Sequence, residues 1–123
     1  MRNEHVRGHL DLLLLSVLAD GPAHGYAIIE ALRERSDGAF DLPEGTVYPA
    51  LHRLERAGLL TSRWDDRPAR RRREYAITAA GSAALAAKRQ EWRAFARGVQ
   101  AVVRAEPARI APSRITPTPR WAT

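Results

Sequence analysis

The chain has 123 residues, enough for one domain with one core and too few for two of ordinary size. Apolar residues make up 45% and charged residues 28%, a globular composition, and the absence of cysteine excludes disulfide frameworks, thiolate nucleophiles and cysteine-ligated zinc. The net charge of +6 is concentrated: five arginines and no acid lie between Arg67 and Arg73, the remainder holds 15 basic against 14 acidic groups, and a patch of that kind suits a polyanion such as nucleic acid.

At the N-terminus, Arg2 and Arg7 followed by Leu12 to Ala19 loosely imitate a secretory signal. Glu4, Asp11 and two histidines break that pattern, and the apolar run is about half the length needed to span a bilayer, so a cytoplasmic protein with no membrane partner is expected. Val6, Leu10, Leu13, Leu14, Val17 and Leu18 recur at helical spacing and predict a first helix. Leu12 and Leu15 add apolar surface on its other side, so cover is expected on two faces, from its own domain and from something else. Asp20-Gly21-Pro22 stops this helix.

A second helix is expected from about His24 to Arg35, with Tyr26, Ile29 and Leu32 at helical spacing and Ser36-Asp37-Gly38 ending it. A third lies within Pro43 to Ala57, where Val47, Ala50, Leu51 and Leu54 form one stripe and Gly58 stands at the C-terminal glycine position. Pro49 leaves two solutions. With Thr46 as N-cap it falls in the first turn, where its missing N–H costs nothing; with a start at Pro43 the helix must accommodate it.

Beyond Gly58 the period becomes alternating, with Leu60, Ser62 and Trp64 on one face of a short strand, Asp65-Asp66-Arg67-Pro68 as a turn, and Arg73, Tyr75 and Ile77 on a second strand. Three helices followed by this hairpin, with the arginine run at its tip, predict a mainly α fold with a small β-hairpin: a winged helix-turn-helix over residues 1–77. Trp64 reads as strand packing.

Thr78 looks like the N-cap of a long C-terminal helix reaching roughly Arg104, within a segment 78–106. Leu85, Trp92 and Val99 repeat every seven residues, as do Phe95 and Val102, which is a heptad seam interrupted by Lys88. A helix of about 27 residues spans roughly 40 Å, more than so small a domain covers, and a second copy of the chain is the simplest partner. Residues 107–123 contain four prolines and no periodicity and are expected to form a disordered tail that includes Trp121.

In a helix-turn-helix the second helix of the motif, here the third of the chain, enters the major groove. With Val47, Leu51 and Leu54 inward, Gly45, Pro49, His52, Arg53 and Arg56 turn outward, flanked by Thr46 and Tyr48. Arg53 and Arg56 suit guanine, His52 a base edge, and Thr46 and Tyr48 phosphates. The alternative is a solvated face on which Arg53 and Arg56 pair with Glu55. Arg70, Arg71, Arg72 and Arg73 suit a phosphate backbone or minor groove, against a simply solvated charge run.

The run from Leu42 through Leu60, LPEGTVYPALHRLERAGLL, resembles the recognition-helix signature of the PadR family of bacterial transcriptional regulators. His24-Gly25-Tyr26 resembles the opening of that family's second helix, the arginine-rich wing leads into Tyr75, and Ile77-Thr78-Ala79-Ala80-Gly81 resembles the start of its C-terminal helix. The similarity covers roughly residues 10–105. It implies a homodimer held by the N- and C-terminal helices that binds a roughly palindromic double-stranded DNA operator, usually as a repressor. His24, Tyr26, Thr46, Tyr48 and Pro49 are then contacts or motif-shaping positions, and Leu10, Leu14, Leu85, Trp92, Phe95, Val99 and Val102 line the dimer seam. A single C-terminal helix resembles the short subfamily, some of whose members place a tryptophan at the step of Trp92 beside a pore for flat aromatic compounds. Trp92, Leu12, Leu15 and Phe95 are therefore candidates for lining an aromatic effector site, although Trp92 reads first as an anchor of the dimer seam.

No enzyme chemistry emerges. His5 and His9 are spaced to share a metal but lack a third ligand, and Glu44, Asp65 and Asp66 read as cap and turn residues, so no cofactor or metal is expected. A winged helix devoted to protein contacts or RNA is the remaining alternative.

Overall fold

The structure, a computed structural model, describes residues 8–67 and 72–104. In chain order the elements are α1 (Leu10–Leu18), β1 (Ala23–His24), α2 (Gly25–Arg35), α3 (Glu44–Arg56), β2 (Leu60–Asp65), β3 (Arg72–Ile77) and α4 (Ala79–Val103). The expected residue Val6 of the first helix, Arg70 and Arg71 of the wing, His5 of the histidine pair and the tail 107–123 lie outside the described residues.

Helices α1, α2 and α3 direct their apolar stripes into one core: Leu14, Leu15 and Leu18 from α1, Ile28 and Leu32 from α2, Val47, Leu51 and Leu54 from α3. Leu60 and Tyr75 close it from the strands. The sheet has three antiparallel strands in the order β1-β3-β2, one more than the expected hairpin. The third strand is the pair Ala23↔Tyr75 and His24↔Glu74. Two residues after a proline carry no period of their own; only the edge of β3 makes them a strand. The β2–β3 register aligns Leu60 with Ile77, Ser62 with Tyr75 and Trp64 with Arg73, so the anticipated alternation puts these six side chains on one face.

Of the two solutions open for α3, the helix takes the earlier start: it begins at Glu44, and its N-cap is Pro43, three residues before Thr46. Pro43 is extended (φ −78°, ψ 159°) and its carbonyl accepts from the N–H groups of Thr46 and Val47, so Pro49 sits inside the helix. There it cannot supply the N–H that would reach the exposed Gly45 carbonyl, which solvent can satisfy. At the other end the Gly58 N–H donates to the Glu55 carbonyl and the Leu59 N–H to the Leu54 carbonyl, both 3.0 Å, with Gly58 at φ +80°. This double closure turns the chain directly into β2 and requires a left-handed residue at that point.

Thr78 is the anticipated N-cap. Its Oγ1 accepts from the Gly81 N–H at 3.0 Å and donates to the Gly58 carbonyl at 2.7 Å, joining the ends of α3 and β3 to the start of α4. Thr78→Ala is expected to cost about 1–2 kcal/mol, and Thr78→Ser much less, in urea denaturation at fixed protein concentration; equal midpoints for both variants would refute the cap.

The chain divides into two compact units, Met1–Arg89 and Gln90–Thr123. Within the first unit Leu85 is 3% exposed and Gly81 packs against Leu59, so the first turns of α4 contribute to the core. In the second unit the described residues are helical to Val103, with Phe95 61%, Val99 43% and Val102 78% exposed and the Trp92 and Phe95 rings 6.0 Å apart. No helix among the described residues is long and apolar enough to cross a membrane.

Candidate nucleic-acid interface

Burying Val47, Ala50, Leu51 and Leu54 leaves the opposite face of α3 to solvent. Pro49, His52, Arg53 and Arg56 are exposed there, and Thr46 and Tyr48 are partly buried at its flank. Tyr26, at the start of α2, is 57% exposed. A concave hollow of about 340 Å³ lies beside it, walled by Tyr26 and His24, by Tyr48 and His52 of α3, and by Trp64, Arg72 and Arg73 of the strands. Most side chains expected to meet nucleic acid, from three separate stretches of sequence, thus border one surface.

Gly25 explains the close fit of Tyr48. A Cβ at residue 25 would lie 2.5 Å from the Tyr48 ring, so only glycine lets this ring close over the start of α2.

Arg53, expected to read bases, is half-exposed and forms a two-pronged ion pair with Asp11 of α1, with Nη1–Oδ2 3.0 Å and Nη2–Oδ1 2.9 Å. The fork geometry of a guanidinium on a carboxylate ties α3 to α1, and the same bond pushes the Arg53 pKa above its ordinary value. Glu55 does not pair with Arg53 or Arg56 either; its Oε2 accepts from the Ser62 hydroxyl at 2.7 Å.

His24 borders the hollow but is partly buried. Its Nε2 lies 3.0 Å from Asp65 Oδ2, and both side chains are nearly buried. Asp65, expected only to shape a turn, therefore spans from the end of β2 to β1. The Arg67 guanidinium, with the Arg67 backbone N–H and His24 in support, holds the Asp65 carboxyl far below the usual carboxylate range. Arg67 is thus committed to Asp65, which removes one charge from the basic patch.

On β3, the Arg73 Nε donates to the Ser62 hydroxyl at 2.7 Å and its guanidinium lies over the Trp64 ring, 5.2 Å from the centroid. Arg72 has its Nε buried with no hydrogen-bond partner among the described residues. Trp64, expected to pack on the strand, is 50% exposed, because β2 leaves the core after Leu60. Burial raises the pKa of the Tyr75 hydroxyl, and the Glu55 charge adds to the effect.

The expected dimer and effector residues divide. Leu14 and Leu15 have no exposed surface, and Leu10 and Leu85 have 6% and 3%, so all four serve the core of a single chain and offer a partner almost nothing. The period alone could not reveal this, since core and seam use the same leucines. Trp92, Phe95, Val99 and Val102 do expose apolar surface, and Leu12 is half-buried. Sequence reasoning missed Asp11, Ser62 and Trp64 as participants. Ser62 and Trp64 shared a face with Arg73 in the predicted hairpin, a signal that was present, whereas nothing local marked Asp11 as the partner of a residue 42 positions away.

Comparison with known proteins agrees with this architecture. The family model "Transcriptional regulator PadR-like family" matches residues 14–87. The transcriptional regulator Rv3488 of Mycobacterium tuberculosis is 38% identical over 96 residues, covering 78% of this chain and 87% of its own. A PadR family transcriptional regulator from Eggerthella lenta superposes with TM-score 0.71 at 34% identity, over 84% of this chain and 88% of that one. A transcriptional regulator from Clostridium thermocellum gives TM-score 0.73 at 31% identity, over 79% and 95%. The chain accordingly belongs to the PadR-like family of transcriptional regulators, and its function is regulation rather than catalysis.

Proposed function

We propose that this regulator acts in the cytoplasm as a homodimer that binds double-stranded DNA sequence-specifically, represses its target, and releases the operator when a small effector binds. The observation that carries this reading is the continuity of the exposed face of α3 with the hollow bordered by Tyr26, Tyr48, Arg72 and Arg73. A helix with a polar outer face beside an arginine-bearing hairpin matches a major groove flanked by phosphates. His52 and Arg56 take the base-reading role, Arg56 because Arg53 is held by Asp11. Thr46, Tyr48, Pro49 and Tyr26 border the backbone, and Arg70 to Arg73 continue the phosphate contacts into the wing.

The dimer rests on Trp92, Phe95, Val99 and Val102, an apolar stripe that a monomer would leave in water. A planar aromatic effector fits the Trp92 and Phe95 ring pair, where it would quench Trp92 emission.

The test is a fluorescence-anisotropy titration against a duplex from the protein's own upstream region and a shuffled control, at two salt concentrations. Preference for the upstream duplex by at least tenfold, about 1.4 kcal/mol, with strong salt dependence, is expected. Arg56→Ala should erase most of that preference while leaving the salt slope nearly unchanged. Binding to neither duplex would overturn the DNA reading in favour of protein contacts.

A further inference from the structure

The second concavity of the DNA face lies between the later turns of α3 and the strands. It is an open channel of about 700 Å³ bordered by His52, Glu55 and Arg56 on one side and Trp64 and Arg73 on the other. Its lining carries two arginines against one carboxylate. Glu55 is its only acid among the described residues, and that carboxylate is engaged by Ser62.

Arg73 is restrained on two sides. Its Nε is committed to the Ser62 hydroxyl, Ser62 donates in turn to Glu55, and the flat of the guanidinium lies over Trp64. A free arginine gives up rotamer entropy when it captures a phosphate; one already held by a hydrogen bond and a ring has less to lose. The hold also runs from α3 to β3, so the position of Arg73 is set relative to the helix that reads bases.

We propose that this channel seats the sugar–phosphate backbone of one DNA strand, with Arg73 as a pre-positioned phosphate ligand, Trp64 as the apolar wall against the deoxyribose, and Ser62 and Glu55 as positioning residues. The proposal rests on the DNA-binding reading above. It assigns Trp64 a role in affinity that does not depend on base sequence, because every nucleotide offers the same sugar and phosphate.

The test labels the intact protein with 5-fluorotryptophan and assigns the Trp64 fluorine resonance from a Trp64→Phe sample. Addition of either the upstream or the shuffled duplex is expected to shift that resonance. In anisotropy titrations, Arg73→Ala should weaken both duplexes and lower the magnitude of the salt slope by about 0.9, one phosphate's worth. Ser62→Ala and Trp64→Ala keep the charge, so they should weaken both duplexes about threefold to tenfold with the slope unchanged. Ser62→Thr and Trp64→Phe, which keep the hydroxyl and the ring, should bind nearly as the wild type does and control for misfolding. Duplex binding with an unmoved Trp64 resonance and wild-type affinities in Ser62→Ala and Trp64→Ala would overturn the proposal alone. Failure of the wild type to bind either duplex would instead overturn the DNA reading on which it rests.

Discussion

Replacing Phe95 and Val99 together by aspartate should make the protein monomeric and weaken binding to a palindromic operator by more than about 100-fold. Both side chains lie on the exposed apolar stripe of α4, at 61% and 43% exposure, beside the Trp92 ring. Carboxylates buried in that stripe would have to leave water with no partner, a cost larger than the hydrophobic gain of the seam. The effect on DNA is indirect. In the proposed dimer two linked winged helices would hold the second half-site contact at an effective concentration near millimolar, and separation of the subunits would remove that advantage. Sedimentation velocity should show half the wild-type mass, and anisotropy should show the single half-site affinity for both half-site and full-site duplexes. The melting transition of the winged-helix unit provides the internal control, because neither side chain belongs to its core. Retention of the dimer would place the subunit contact elsewhere. Wild-type protein already monomeric at micromolar concentration would refute the dimer itself.

The largest expected stability effect belongs to Gly81→Ala. In an exposed helix this change is favourable by about 1 kcal/mol. Here a Cβ at residue 81 would stand 2.1 Å from the Leu59 carbonyl oxygen and 2.7 Å from a methylene of Ile77. The first obstacle is backbone, fixed by the closure of α3 and by the Thr78 N–H donating to that same carbonyl at 3.1 Å. The start of α4 must therefore move away, disturbing the Thr78 cap and the seat of Leu85 together. A loss of about 2–3 kcal/mol is expected, a shift of the urea midpoint on the order of 1–2 M. Gly45→Ala is the contrasting case. It also adds a methyl to a helix, but with nothing within 4 Å, so it should be neutral or slightly stabilising. Similar midpoints for the two variants would refute the close approach at Leu59.

The relation between Arg53 and Arg56 shows where local pattern stops being informative. Both are exposed arginines on the outer face of one helix, three residues apart, and periodicity assigns them the same role. Asp11 distinguishes them: it lies within reach of one and converts it into a strut. His24 and Asp65 make the same point, since a residue beside a helix start and a residue in a turn come within hydrogen-bond distance only after β1 joins β3.

The sequence by itself determined the order of the helices, the inward stripe of α3, the Thr78 cap, the alternation of β2 and β3, and membership in a winged-helix regulator family. These features are written in spacing, and spacing is set by the 3.6-residue and two-residue periods of the backbone whatever the rest of the chain does. Only the tertiary structure decided which polar side chains are free to meet a partner, which leucines of α1 and α4 belong to the chain's own core, and that Trp64 is exposed with Arg73 over its ring. Those outcomes depend on groups distant in sequence arriving within about 3 Å of one another, or on a neighbour covering one side of a residue. The physical reason is that burial and pairing belong to the assembled surface, and a short stretch of chain contains no record of what will be folded against it.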